Sequence, residues 1–200
     1  IKGANTEIRN NMDDTPLHVA VKNDNLEAAK VLAIVHGNIF AKDGSGASAL
    51  ELGVKKGKNF YDALITQKTG DLIDGQGQTI VHYFAKWKNQ DALNLCIKKQ
   101  IPISKEDMYG ITPLEICYEN VEDVTSIQMA ASLLLAGAAP VRENYSYFED
   151  AVITRNPSIR FEDGQTPLHI AAIQGQTGVV EYLIDRGAST KAKDISGSTP

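Results

Sequence analysis

The chain is poor in reactive side chains. Its 200 residues include two cysteines, four histidines and one tryptophan, and aromatic residues make up only 6%. Two cysteines cannot build a disulfide framework, and Cys96, between Leu95 and Ile97, has the setting of a buried small hydrophobe. So few thiols are compatible with a reducing compartment. No Cys-x-x-Cys or His-Glu-x-x-His spacing occurs, which leaves a metal site without support, and no cofactor is implied. A basic excess is missing as well: the net charge of −5 speaks against general nucleic-acid binding. Met129–Ala139 is the longest apolar stretch, but Ser132 and Gly137 interrupt it and it falls short of the roughly 20 residues that span a bilayer, so no membrane span is expected. Gly53–Lys58 spells Gly-x-x-x-Gly-Lys, one residue short of a phosphate loop and followed by Asn59 where Ser or Thr is needed.

What the chain does have is a recurring phrase. Thr15-Pro16-Leu17-His18-Val19-Ala20 returns as Thr79-Ile80-Val81-His82, Thr112-Pro113-Leu114-Glu115 and Thr166-Pro167-Leu168-His169-Ile170-Ala171, with a degenerate copy at Ser48-Ala49-Leu50-Glu51 and a cut one at Thr199-Pro200. The steps between markers are 33, 31, 33, 54 and 33 residues. Each residue answers a demand of a helix start: the Thr hydroxyl caps free N–H groups, and Pro takes the first helical position, where a missing N–H costs nothing. Leu17 and Ala20, like Leu168 and Ala171, share one helical face that must be buried. A second apolar run follows about ten residues later, as in Leu95-Cys96-Ile97 and Val180–Ile184, and Gly57 and Gly175 mark the turn between the two. An extended finger then carries Asp-x-x-Gly, at Asp43/Gly46, Asp74/Gly77, Asp107/Gly110 and Asp194/Gly197, a spacing suited to tight turns.

On these residues the chain resembles the ankyrin-repeat family, whose period is ~33 residues with this phrase. The resemblance implies an all-α solenoid of stacked helix-turn-helix units with β-hairpin-like fingers, each unit covering its neighbour's apolar face. The expected division is 1–9, the end of a preceding repeat; 10–42, 43–73 (degenerate), 74–106 and 107–140 (an insertion between its helices), four repeats; 141–160, a repeat lacking its second helix; 161–193, a further repeat; and 194–200, the start of another. The long step splits at Ser146, after which Phe148, Ala151 and Val152 hold the first-helix face and Pro157 stops any continuation. The fourth repeat carries about four extra residues around Val121–Ser126. Ile1–Asn5 matches Ile184–Ser189, so the chain is expected to start and stop inside repeats of a longer protein. Cys117 stands where other repeats place Ala20 or Ala171.

Three of the four histidines, His18, His82 and His169, recur in register and read as hydrogen-bonding parts of the scaffold rather than as bases or ligands. No acid and base pair stands outside register positions, so the array is not expected to be an enzyme. The resemblance implies instead a concave groove that grips a partner protein. Carried onto this chain, its finger tips are Asn11, Met12, Ser45, Gln76, Met108, Tyr109 and Glu162, and its helix positions Lys22, Asn23, Lys55, Lys56, Lys86, Trp87, Glu119, Asn120, Ile173 and Gln174. Stacking predicts a basic stripe of Lys22, Lys55, Lys56 and Lys86 beside Trp87, facing an acidic, partly apolar segment of another protein; the blander alternative is that these lysines offset helix dipoles. The competing functional expectation is a targeting module of a larger enzyme or toxin.

Overall fold

A computed structural model describes residues 5–35, 37–141 and 144–200. Among them the chain is all-α: α1 (Pro16–Lys22), α2 (Leu26–Ile34), α3 (Ala49–Lys56), α4 (Lys58–Leu64), α5 (Gln67–Gly70), α6 (Ile80–Lys86), α7 (Gln90–Lys98), α8 (Pro113–Tyr118), α9 (Val124–Leu135), α10 (Ser146–Ile153), α11 (Pro167–Ile173) and α12 (Thr177–Asp185). They fall into two compact units, residues 1–83 with 91–109 and residues 84–90 with 110–200. The expected repeat end at 1–9 rests partly on Ile1–Ala4, outside the described residues.

The phrase starts helices as its chemistry requires. Thr15, Ser48 and Thr112 stand in extended backbone before α1, α3 and α8, and each side chain accepts the N–H three residues on. The fourth residue of the phrase closes the box from the other side: Glu51 accepts the Ser48 N–H at 2.6 Å, and Glu115 accepts that of Thr112 at 2.7 Å. Where that residue is His, Nδ1 does the same, at 3.2 Å from the Thr15 nitrogen, 3.0 Å from that of Thr79 and 3.1 Å from that of Thr166. An accepting Nδ1 leaves the proton on Nε2, which donates to a carbonyl of the following finger, Ala47 from His18 and Ser198 from His169, each at 3.2 Å. His18 and His169 thus cap their own helix and tie it to the following finger. Leu17, Leu114 and Leu168 are buried.

The fingers are turns rather than strands, and their one isolated antiparallel bridge among the described residues joins Lys42 to Ser48. Asp43 Oδ1 accepts the Ser45 and Ala47 N–H groups, and Asp74 and Asp194 repeat the arrangement two and four residues on. Gly46 then takes φ +82°, a conformation L side chains rarely adopt.

In the first unit α2 packs on α4, and α3 and α4 are separated by Gly57 alone. The phosphate-loop-like segment is therefore two consecutive helices. In the second unit α9 has 12 residues, against 9 in α12, and follows a turn at 119–123. No helix lies between α10 and α11. α10 ends as a first helix does: Arg155 has φ +54°, matching Asp24 (+56°), Lys88 (+52°) and Gly175 (+68°) in the turns after α1, α6 and α11. With no second helix after α10, α12 packs directly against α9. A Cβ on Gly178 would stand 2.7 Å from the Val121 oxygen and 2.8 Å from the Asp123 carbonyl carbon, so only glycine allows that approach.

Candidate protein-binding surface

In the first unit the expected finger-tip residues Asn11, Met12, Ser45, Gln76, Met108 and Tyr109 are all exposed. Met12, Met108 and Tyr109 are 72%, 62% and 69% exposed, unusual for side chains of this size. They are nonetheless held in place by backbone: the Gly44 N–H donates to the Met12 carbonyl at 3.0 Å, and the Met108 N–H donates to the Gln76 carbonyl at 2.8 Å. Neighbouring tips are laced in pairs, so their side chains project from a fixed main chain.

The expected basic stripe meets a different environment in this unit. Lys22 lies between Asp14 and Asp43, pairing with Asp43 at 2.8 Å and donating to Asp14. Both carboxylates are buried at the bases of successive fingers. The Lys22 ammonium, then the Ser45 hydroxyl, hold the Asp43 carboxyl well below the usual carboxylate range, and the hydrogen bonds to Asp14, then to Asp43, raise the lysine. Lys56 pairs with Asp24 at 2.6 Å. Lys22 and Lys56 are therefore compensated within the protein, whereas Lys55 is exposed and makes no ion pair among the described residues. Asn23 turns its amide onto the Val19 carbonyl at the end of α1.

In the second unit Lys86, Glu119, Asn120, Glu162, Ile173 and Gln174 are exposed. Trp87 is half-buried, with its ring edge-on to Phe84 at 6.2 Å. The turn holding it is anchored by Lys88, which pairs with Asp123 at 2.9 Å.

Several contributors escaped the sequence reading. Arg9 donates to the carbonyls of Asp13 and, one repeat on, Lys42; Arg160 does the same with Gly164 and Lys193. Both stand six residues before a full Thr-Pro-Leu-His phrase, a signal visible in the sequence. Around α10 an aromatic cluster takes over from aliphatic packing. Phe148 is fully buried, edge-on to Tyr118 (6.2 Å) and Tyr182 (5.4 Å), while Tyr145 stacks on Tyr118 at 4.0 Å. Glu149, also buried, accepts from the Tyr118 hydroxyl at 3.0 Å and the Val141 N–H at 2.8 Å.

Burial pushes the Cys96 and Cys117 thiols up to about 12, which keeps them protonated and poorly nucleophilic. Among the described residues no three His, Cys, Asp or Glu side chains converge as metal ligands, and no helix is long and apolar enough to cross a membrane.

A family model described as ankyrin repeat matches residues 12–44, and one described as ankyrin repeats (many copies) matches residues 153–200. The chain is an ankyrin-repeat protein. It is 29% identical to the nuclear factor NF-kappa-B p105 subunit of Gallus gallus across 94% of this chain and 18% of that protein. The B-cell lymphoma 3 protein homolog of Mus musculus is 26% identical across 97% of the chain and 40% of its own length. The ankyrin chain therefore spans well under half of either relative. Among solved structures, the ankyrin repeat domain of Bcl-3 superposes with a TM-score of 0.52 at 23% identity, covering 99% of this chain and 81% of that one. An ankyrin repeat domain from Acinetobacter baumannii AYE gives 0.50 at 22% identity, covering 94% and 89%. Ankyrin-repeat domains are generally non-catalytic interaction modules.

Proposed function

We propose that this chain is a non-catalytic protein-binding scaffold that holds its partner along the finger tips and the ends of the first helices. The observation that carries the reading is the exposure of Met12, Met108 and Tyr109 on tips whose backbones are hydrogen-bonded to their neighbours. With the backbone already held, binding need order only the side chains, and it buries their apolar surface. Lys55, exposed in the same unit as these tips, supplies a cation for an acidic flank on the partner. Affinity capture from the native source with wild type and with Met108→Ser/Tyr109→Ser tests the reading: the double variant loses the captured partner by about tenfold or more, and full retention by the folded variant contradicts it.

A second reading has support in the relatives. Because the chain covers 18% and 40% of the two proteins above, the array serves in those as a portion of something larger. Here the same surface would deliver a separate effector or catalytic domain to its target. Adjoining sequence with a catalytic motif supports this version; further repeats or a plain cap support the free-standing scaffold.

A further inference from the structure

The repeat without a second helix leaves a gap in the second unit that α12 closes at one end only. At their N-terminal ends α9 and α12 touch, with Gly178 against Val121–Val124 and the Thr177 hydroxyl donating to the Glu122 carbonyl at 3.3 Å. At their C-terminal ends a cleft of about 280 Å³ remains, with Leu135, Val152, Leu183 and Tyr182 on its walls and Arg155 and Arg186 beside them. Arg186 lies over the Tyr182 ring, 5.0 Å from its centre. Both arginines are exposed, and among the described residues neither pairs with a carboxylate and no acidic side chain lines the cleft.

Lys22, Lys42, Lys56, Lys88 and Lys99 hold acidic partners, whereas Arg155 and Arg186 bring two guanidiniums with no ion pair among the described residues to the edge of one apolar cleft, in a chain of net charge −5. Their fork of donors suits a carboxylate, and the aliphatic walls suit one bulky apolar side chain. We infer that this cleft is a second docking site, separate from the finger tips, for an extended acidic segment of a partner protein that inserts an apolar residue between α9 and α12 while its carboxylates meet Arg155 and Arg186. The occupant is chosen by charge: a basic segment would face two guanidiniums, and a purely apolar one would leave them without counter-charge.

The test uses fluorescence anisotropy with a labelled peptide, Gly-Asp-Glu-Leu-Phe-Asp-Glu-Gly, against the whole 200-residue chain. Saturable binding is expected, weakened by at least about tenfold when Leu and Phe of the peptide become Ser or when the protein carries Arg155→Glu/Arg186→Glu. The charge-matched control Lys30→Glu/Lys98→Glu, on exposed lysines of the other unit, leaves the affinity unchanged. Should the arginine reversal unfold the protein, Arg155→Gln/Arg186→Gln gives the same comparison with less perturbation. Absence of saturable binding, equal loss in the control, or retention in the arginine variants overturns the proposal. So does sedimentation showing that the arginines instead hold two copies of the chain together. Met108→Ser/Tyr109→Ser keeps full peptide affinity, so failure at the cleft and failure at the tips are read separately.

Discussion

The first full repeat and the segment around α10 solve the same stacking problem with different residues. In the first, the solution is carried by the repeated phrase and its flanks: His18 reaches the following finger, Arg9 clasps it, and Lys22 binds two finger carboxylates. Near the start of α2 the exposed Glu27 stands two residues after the cap Asn25. At the matching place in α12, Gly178 is buried, because α12 must lie on α9 where an intervening second helix is missing. Around α10 the contacts come from aromatic side chains and a buried carboxylate: Phe148 between two tyrosines, Tyr147 donating to Gln176, and Glu149 under Tyr118. Regular register yields interchangeable bonds and compensated charge. A break in register demands bespoke packing and leaves an open cleft with unpaired arginines.

The comparison can be broken first at its shared element. His169→Ala removes an acceptor from the Thr166 N–H and a donor from the Ser198 carbonyl in a buried place, and should cost about 3 kcal/mol in urea unfolding. His169→Glu should recover part of that loss, because Glu51 and Glu115 already close the same cap, but a carboxylate has no proton for the next finger. Next, Gly178→Ala should destabilise by about 2 kcal/mol through backbone collision. Glu27→Ala, at the matching place, should stay within about 0.5 kcal/mol; equal effects at the two sites would erase the distinction drawn between the regions.

Lys22→Met should cost about 1 kcal/mol near neutral pH by leaving shielded carboxylates without their cation. Since Asp43 has a folded pKa below its ordinary value, its contribution is complete above that value and is lost as pH falls through the folded one. The gap between wild type and Lys22→Met should therefore narrow in acid unfolding curves below about pH 4; a constant gap would show that the lysine acts through its stem alone. The smallest effect is expected of the thiols: with their pKa pushed up to about 12, Cys96 and Cys117 should resist iodoacetamide at pH 8 until the chain unfolds, followed by mass spectrometry.

Much of this was legible in the sequence because it is local. Caps, proline starts, finger turns and the register of His18, His82 and His169 depend on residues three or four apart, which the repeated phrase displays. The pairing of Lys22 was not legible, since it joins residues 8 and 21 positions away through a side chain that folds back over the fingers. Its position at a helix end suggested instead a free cation on a stripe. Gly178 was equally silent: its reason is the backbone of α9, more than fifty residues upstream, brought close only because one helix is absent. The exposed tips were readable as positions, and their fixed backbone became visible only in three dimensions.

The residues that hold the repeats together are distinct from those proposed to meet a partner. The urea midpoint of Met108→Ser/Tyr109→Ser tests that separation most directly. It should match wild type to within about 0.5 kcal/mol, as expected of largely exposed side chains. A loss as large as that of His169→Ala would mean that the tips are part of the scaffold, and would contradict the assignment of this surface to recognition.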